Sequence, residues 1–116
     1  VVTKDELLQL VQETRNVEAN DRIFDYITTL AEATRTHPMV ELGVSPRGAL
    51  ALCRMAKAHA FLAGRDFVVP EDVAAVFPDV CAHRLILSAK ARMMEEKAEN
   101  ILAEILKSVD MPVLKA

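Results

Sequence analysis

Aromatic residues, glycines and positive charge are all scarce in this sequence. It has no tryptophan, one tyrosine and four phenylalanines, so aromatics make up 4% of its 116 residues. Hydrophobic residues nonetheless reach 52%, which makes the core aliphatic, built from leucine, valine, isoleucine, alanine and methionine. Three glycines are too few for a fold of many tight turns, and the wealth of Ala, Leu, Glu and Lys favours helix over sheet. No run is long and apolar enough to cross a bilayer, and no signal peptide is visible. The two cysteines, Cys53 and Cys81, have neither CxxC nor ligand-like spacing, so buried thiols in a reducing, cytoplasmic compartment are expected. Fourteen basic residues against 17 acidic leave a net charge of −3, which argues against nucleic-acid binding through a broad basic surface.

Catalytic machinery is missing too. There is no glycine-rich phosphate loop with its Lys-Ser/Thr, so the chain alone cannot cradle a triphosphate. No strand ends in paired acids able to hold Mg²⁺. His37, His59 and His83 lack the i,i+4 spacing of a zinc helix, and no metal site is expected. Cys53 and His59 stand six apart on a helix and do not face each other as nucleophile and base. Glu95-Glu96-Lys97 reads as a solvated turn of helix.

What is present is a series of helices with their punctuation. Thr3 caps a first helix, with Glu6 completing a capping box. Leu7, Leu8, Leu10 and Val11 give it an apolar stripe to about Thr14. Residues 16–20 form a connector. Asn20 or Asp21 caps a second helix to about Arg35, with Ile23, Phe24, Ile27, Leu30, Ala31 and Thr34 as its buried face. Thr36-His37-Pro38 ends it, because the residue before proline avoids the α region. A loop over 37–44 then delivers the chain to a third helix, Pro46 to about Ala63, closed by Gly64. Asp66 to Val69 is an extended link. Pro70 opens a fourth helix, with Glu71 and Asp72 correctly signed for its dipole. Val73, Val76, Phe77, Val80 and Cys81 keep helical spacing through Pro78, which either kinks the helix or starts a new turn. Residues 83–87 read as extended. From Ser88 the pattern is helical again, with Ile101, Leu102, Ile105, Leu106 and Val109 on one face; Met93 to Lys97 is an open question. The expectation is all-α: a small bundle of four main helices plus short turns.

The most regular helix starts at Gly43-Val44-Ser45-Pro46-Arg47. Ser45 suits the N-cap and Pro46 suits N1, where a missing N–H costs nothing. Arg47 then falls at the positive end of the helix dipole, where a cation costs about 0.3–1 kcal/mol. An arginine kept there suggests an anion beside it, since a helix N-terminus is itself an anion site. The alternative is a capped helix whose arginine is merely solvated. Ala49, Leu52, Cys53, Ala56, Ala60 and Ala63 form a face of mostly small side chains that lets neighbours approach. On the opposite side Arg47, Arg54 and Arg65 project, with Lys57 near them and Leu50 and Phe61 among them. Charges with apolar residues set between them suit a contact surface better than a solvated face.

These residues carry a resemblance. Leu42-Gly43-Val44-Ser45-Pro46-Arg47-Gly48-Ala49-Leu50-Ala51-Leu52, followed by Gly64-Arg65-Asp66-Phe67-Val68-Val69-Pro70-Glu71-Asp72-Val73, resembles the C-terminal lid of MoxR-type AAA+ ATPases. Ala82-His83-Arg84-Leu85-Ile86-Leu87 and Ala103 to Val109 are similar to that family's closing segments, in the right order over nearly the whole chain. The resemblance implies that 1–116 is a lid domain, a piece of a longer ATPase, as a start at Val1 rather than Met also suggests. It implies that Arg47 is the sensor-2 arginine, which reaches the nucleotide phosphates, with Gly43, Ser45 and Pro46 beside it at the ATP. The phosphate loop and the Mg²⁺ acids would lie on the core domain, and this piece alone would be inactive. The family's partners are the core domain of the same chain, neighbouring subunits of a hexamer, and protein clients, often with a von Willebrand A-type domain, that are activated or loaded with cofactor. A lid of the magnesium-chelatase branch and a free-standing helical interaction module are the alternatives. Two departures stand out: Gly48 where the family often has Ala, and Val69 where a Thr cap is usual.

Overall fold

The computed structural model describes residues 2–113. Six α-helices run in the order α1 (Lys4–Arg15), α2 (Asp21–Thr36), α3 (Pro46–Leu62), α4 (Pro70–Cys81), α5 (Ala89–Met93) and α6 (Ala98–Ser108). A 3-10 turn (Ala82–Arg84) follows α4, and two short strands, β1 (Val40–Leu42) and β2 (Ile86–Leu87), complete the described elements. The fold is all-α, as the composition requires. Its core lies among α2, α3, α4 and α6, where Ile23, Leu30, Leu52, Val73, Phe77, Ile101 and Leu102 are fully buried.

Each helix begins where a cap can satisfy its orphan amides. Thr3, Asn20, Ser45 and Ser88 each accept from the amide three residues on, which settles the second cap on Asn20. The Glu6 carboxylate accepts from the Thr3 hydroxyl (3.1 Å) rather than from a backbone amide. Gly64 takes φ +82° after α3, and Arg65 N–H donates back to Ala60 O at 3.0 Å. That left-handed closure is available to glycine without the Cβ clash. Pro78 lies inside a continuous α4.

Several expectations are corrected. Phe24 is 45% exposed, while Tyr26 is buried in its place. At about 100° per residue the two flank the Ile23–Thr34 stripe by similar angles on opposite sides, and the bundle covers the tyrosine side. Ala63 is exposed because α3 ends at Leu62, and Ala49 is only half-buried. Residues 37–44 are not all loop: β1 pairs antiparallel with β2, Val40 opposite Leu87 and Leu42 opposite Ile86, leaving Glu41 bulged. His83 and Arg84 belong to the 3-10 turn, and only the residues after them are extended. The open question at 93–97 resolves into a break: Glu95 sits at φ 56°, and Glu96 N–H closes back on Ala91 O at 2.9 Å. Finally, α1 buries none of its residues despite its apolar stripe.

Candidate functional site

The approach to Arg47 is held from behind by the last turn of α2. Thr34, fully buried, accepts from Val44 N–H at 2.9 Å and donates to Ala31 O at 2.6 Å. Arg35 Nε–H donates to Val44 O at 2.9 Å. Both polar groups of the buried Val44 backbone are therefore satisfied by adjacent residues of one helix. Gly43 is required here because a Cβ would lie 2.7–2.8 Å from Arg35 N, Cα and Cγ, and the first two, as backbone atoms, cannot move without disturbing α2.

From this clamp the chain turns into α3. The Ser45 hydroxyl accepts from Gly48 N–H at 3.2 Å, Pro46 takes the first helical position, and the first turn contains no acid. Arg47 is exposed there, and among the described residues no hydrogen bond or ion pair engages it. Gly48 is buried, and a Cβ on it would meet Val44 Cγ1 at 2.8 Å and Arg84 Cδ at 3.3 Å. So Gly48 is a fit to its neighbours as well as a soft spot in the helix, and the Arg84 stem lies beside the turn that carries Arg47. Arg47 thus stands in the first turn of a capped helix, with Arg35 bonded to the residue before the cap and the Arg84 stem beside Gly48. An exposed guanidinium at the positive end of a dipole, with further arginines near, fits a phosphate group.

The far end of α3 is fastened by a carboxylate that reads from the sequence only as a helix-start acid. Asp72 is fully buried. It accepts from Arg65 Nη1 (2.6 Å) and Nη2 (2.8 Å), from Val69 N–H (2.8 Å), and from His59 Nδ1 (2.7 Å). An ionised carboxylate only accepts, so His59 carries its proton on Nδ1. Burial pushes the Asp72 carboxyl up, but Arg65, the Val69 amide and His59 together outweigh it and hold the group below the usual carboxylate range. Arg65 is correspondingly raised by its hydrogen bonds to Asp72. This corrects the reading of Arg65 as part of the free basic face. Val69 indeed gives no side-chain cap; Asp72 supplies the reciprocal half of a capping box instead. An acid three residues past the N-cap, with an arginine seven before it, was the available signal.

Leu50 and Arg54 remain exposed on α3, with Lys57 and Phe61 half-buried beside them. Cys53 and Cys81 are buried free thiols; burial raises both, Cys81 to about 11. His37 Nδ1 accepts from Met39 N–H at 3.1 Å, which directs its Nε2 toward Glu104 at 3.5 Å. Among the described residues no cluster of three His, Cys, Asp or Glu could hold a metal, and no helix is long and apolar enough to cross a membrane.

A family model described as the AAA lid domain matches residues 32–105, a span that contains the α2 clamp, the Arg47 turn, Asp72 and most of α6. The chain belongs to the AAA lid domain family. Among relatives of this AAA lid domain, YeaC of Bacillus subtilis is 40% identical over the whole chain, which covers 36% of that protein. Chaperone MoxR1 of Mycobacterium tuberculosis is 31% identical over the whole chain, which covers 33% of it. Protein MoxR of Methylorubrum extorquens is 42% identical over 61% of the chain, covering 20% of its own length. A crystal structure from Cytophaga hutchinsonii, described as a "putative ATPase", superposes with TM-score 0.89 at 32% identity, over 95% of this chain and 36% of that one. The lid is of MoxR type. It spans about a third of the length of YeaC, MoxR1 and the Cytophaga protein.

Proposed function

We propose that this lid closes over ATP bound to a core domain of the same protein, with Arg47 reaching the phosphates as the sensor-2 arginine. The observation that carries the reading is an exposed arginine in the first turn of a capped helix, free of acids and lying within the matched family span. Gly43, Ser45 and Pro46 form the segment that would face the nucleotide and aim the guanidinium; Arg84 and Arg35 add positive potential. When bound, ATP, with its Mg²⁺ held by the core domain, would supply the phosphoanhydride bond whose hydrolysis drives the cycle. The contribution of this chain is positional: a planar cation with several donors, placed where negative charge accumulates. Because the cation sits on the lid, phosphate contact by Arg47 and lid closure would be one event, and losing that contact would free the lid. In the proposed cytoplasmic hexamer of neighbouring subunits, that movement acts on a protein client. MoxR1 is named a chaperone, which supports action on protein clients; the proposal extends this to client activation or cofactor insertion, with clients that carry a von Willebrand A-type domain.

The test uses the intact protein. Arg47→Ala should lower ATP turnover about a hundredfold, the scale of losing one preorganised donor set, about 3 kcal/mol. Arg47→Lys should rescue little, because an ammonium cannot reproduce the guanidinium fork. Arg92→Ala, exposed on α5, is the control. Equal and mild losses for Arg47→Ala and Arg92→Ala would make Arg47 ordinary surface charge.

A further inference from the structure

Away from the Arg47 turn, the least explained feature is the open face between α1 and α3. Leu7, Leu8, Leu10 and Val11 on α1 are exposed by 55, 57, 39 and 43%, an apolar stripe that no described part of the lid covers. Between the two helices runs a groove of about 740 Å³. Leu10, Val11 and Arg15 line one wall, and Leu50, Arg54 and Lys57 the other. The lining includes three cations and no acid, in a chain whose net charge is −3. Helical geometry explains the sorting. At about 100° per residue, Lys4, Leu7, Leu10, Val11 and Arg15 share the groove side of α1, while Asp5, Glu6 and Glu13 turn away from it. Glu13 lines a separate depression with Phe61 and Arg65. Among the described residues Arg15, Arg54 and Lys57 make no ion pair.

We propose that this groove docks an amphipathic helix of a partner protein, one whose apolar stripe is flanked by glutamate and aspartate. Two helices with a gap between them offer the bed that a third helix fills, its i, i+3, i+4 and i+7 side chains set against the apolar walls. The 12-residue α1 provides a wall about 18 Å long, room for about three turns of helix. The apolar residues supply contact area, and the cations on both walls choose the sign of the flanks. A chain that is acidic overall repels acidic partners at a distance, so a local positive strip marks where one is accepted. A second copy docking through its own α1 is disfavoured by the same charges, since Lys4 and Arg15 would meet Arg54 and Lys57. None of the groove residues lies in the first turn of α3, so the proposal stands or falls separately from the Arg47 reading.

Fluorescence anisotropy on the intact protein tests it with two labelled helical peptides of about 18 residues, five turns. They share one leucine stripe and differ in whether glutamates or lysines flank it. The glutamate peptide should bind with a micromolar dissociation constant, and the lysine peptide about tenfold more weakly or less tightly still. Arg54→Glu/Lys57→Glu should reverse that preference, and Leu50→Glu should weaken the glutamate peptide about tenfold, each without lowering the melting temperature. Equal affinity for the two peptides would mean an unselective apolar surface and overturn the proposal. So would no binding by the intact protein, which would place the rest of the chain over the groove. Sedimentation showing a dimer that Arg54→Glu/Lys57→Glu dissolves would assign the groove to a second copy and overturn it as well.

Discussion

Thr34→Val is the sharpest test of how this lid holds Arg47 in place. The substitution keeps the shape of a fully buried side chain and exchanges its hydroxyl for a methyl. In the folded chain that hydroxyl is the acceptor for Val44 N–H at 2.9 Å. Valine strands this amide in the interior with no partner in reach, a penalty of about 1–3 kcal/mol. Arg35 still holds the Val44 carbonyl from the other side, so the turn loosens rather than comes apart. Thr34→Ser is the counterpart: it keeps the hydroxyl and gives up one buried methyl, about 1 kcal/mol. Thermal melts of the 116-residue chain report both, since each kcal/mol moves the midpoint of a domain near this size by about 4–8 °C. The valine variant should fall by roughly 4–24 °C, and further than the serine variant. A valine variant as stable as the parent, or more stable than the serine variant, would show that the Thr34–Val44 bond does not hold the turn.

Asp72→Asn should cost about 1.5–3 kcal/mol near neutral pH, because the partners of a buried carboxylate lose its charge. The pH dependence follows from the lowered folded-state value: the carboxylate's contribution is fully present above its unfolded value, about 3.9, and is lost as pH falls through the lower folded one. The stability gap between parent and Asp72→Asn should hold steady at neutral pH and close below about pH 4; a gap that ignores acid would refute the assignment. Ala56→Leu, placed at a fully buried position on the small face of α3, should overpack the bundle and destabilise it by about 1–3 kcal/mol. An unchanged melt would mean that α3 has slack where the structure shows none.

The helix starts were legible because capping chemistry is local: Thr3, Asn20, Ser45 and Pro70 announce themselves within four residues. Gly64 is legible for the same reason, since a left-handed closure after a helix usually calls for glycine. The break between α5 and α6 uses the same closure with Glu95 in the glycine's place, so the sequence carries no punctuation there. Tyr26 and Phe24 flank their stripe alike, and only the tertiary arrangement decides which is covered. The β1–β2 pairing joins segments more than forty residues apart through strands of three and two residues, too short for alternation to register. Asp72 was hidden for a different reason. A helix-start acid needs no partner to be explained. The spacing from Arg65 to Asp72 hints at a pair, but the burial of Asp72 and its bond to His59 follow only from the α3–α4 packing. Arg47 was legible as an anomaly, a cation at the wrong end of a dipole, while the residues that aim it, Thr34 and Arg35, looked like ordinary members of α2.

Taken together, the two fastenings say how α3 can move. Its start is pinned to α2 through Val44, its end is tied to α4 through the Arg65 and His59 bonds to Asp72, and Leu52, Ala56 and Ala60 lie fully buried between them. A 17-residue helix about 25 Å long, held at both ends and packed along its middle, passes a displacement on to its neighbours, because close-packed interiors transmit strain and its one soft spot, Gly48, is wedged against Val44 and the Arg84 stem. A pull on Arg47 would therefore shift α2, α3 and α4 as one body, which is what a lid needs if phosphate contact is to become a change of angle. α1 stands outside that body. With none of its residues buried it is the long helix least tied to the core, and few buried apolar contacts are the mark of elements that open at low cost. The groove thus has one rigid wall, on α3, and one adjustable wall, on α1. A helix bound there would draw α1 against the body that carries Arg47.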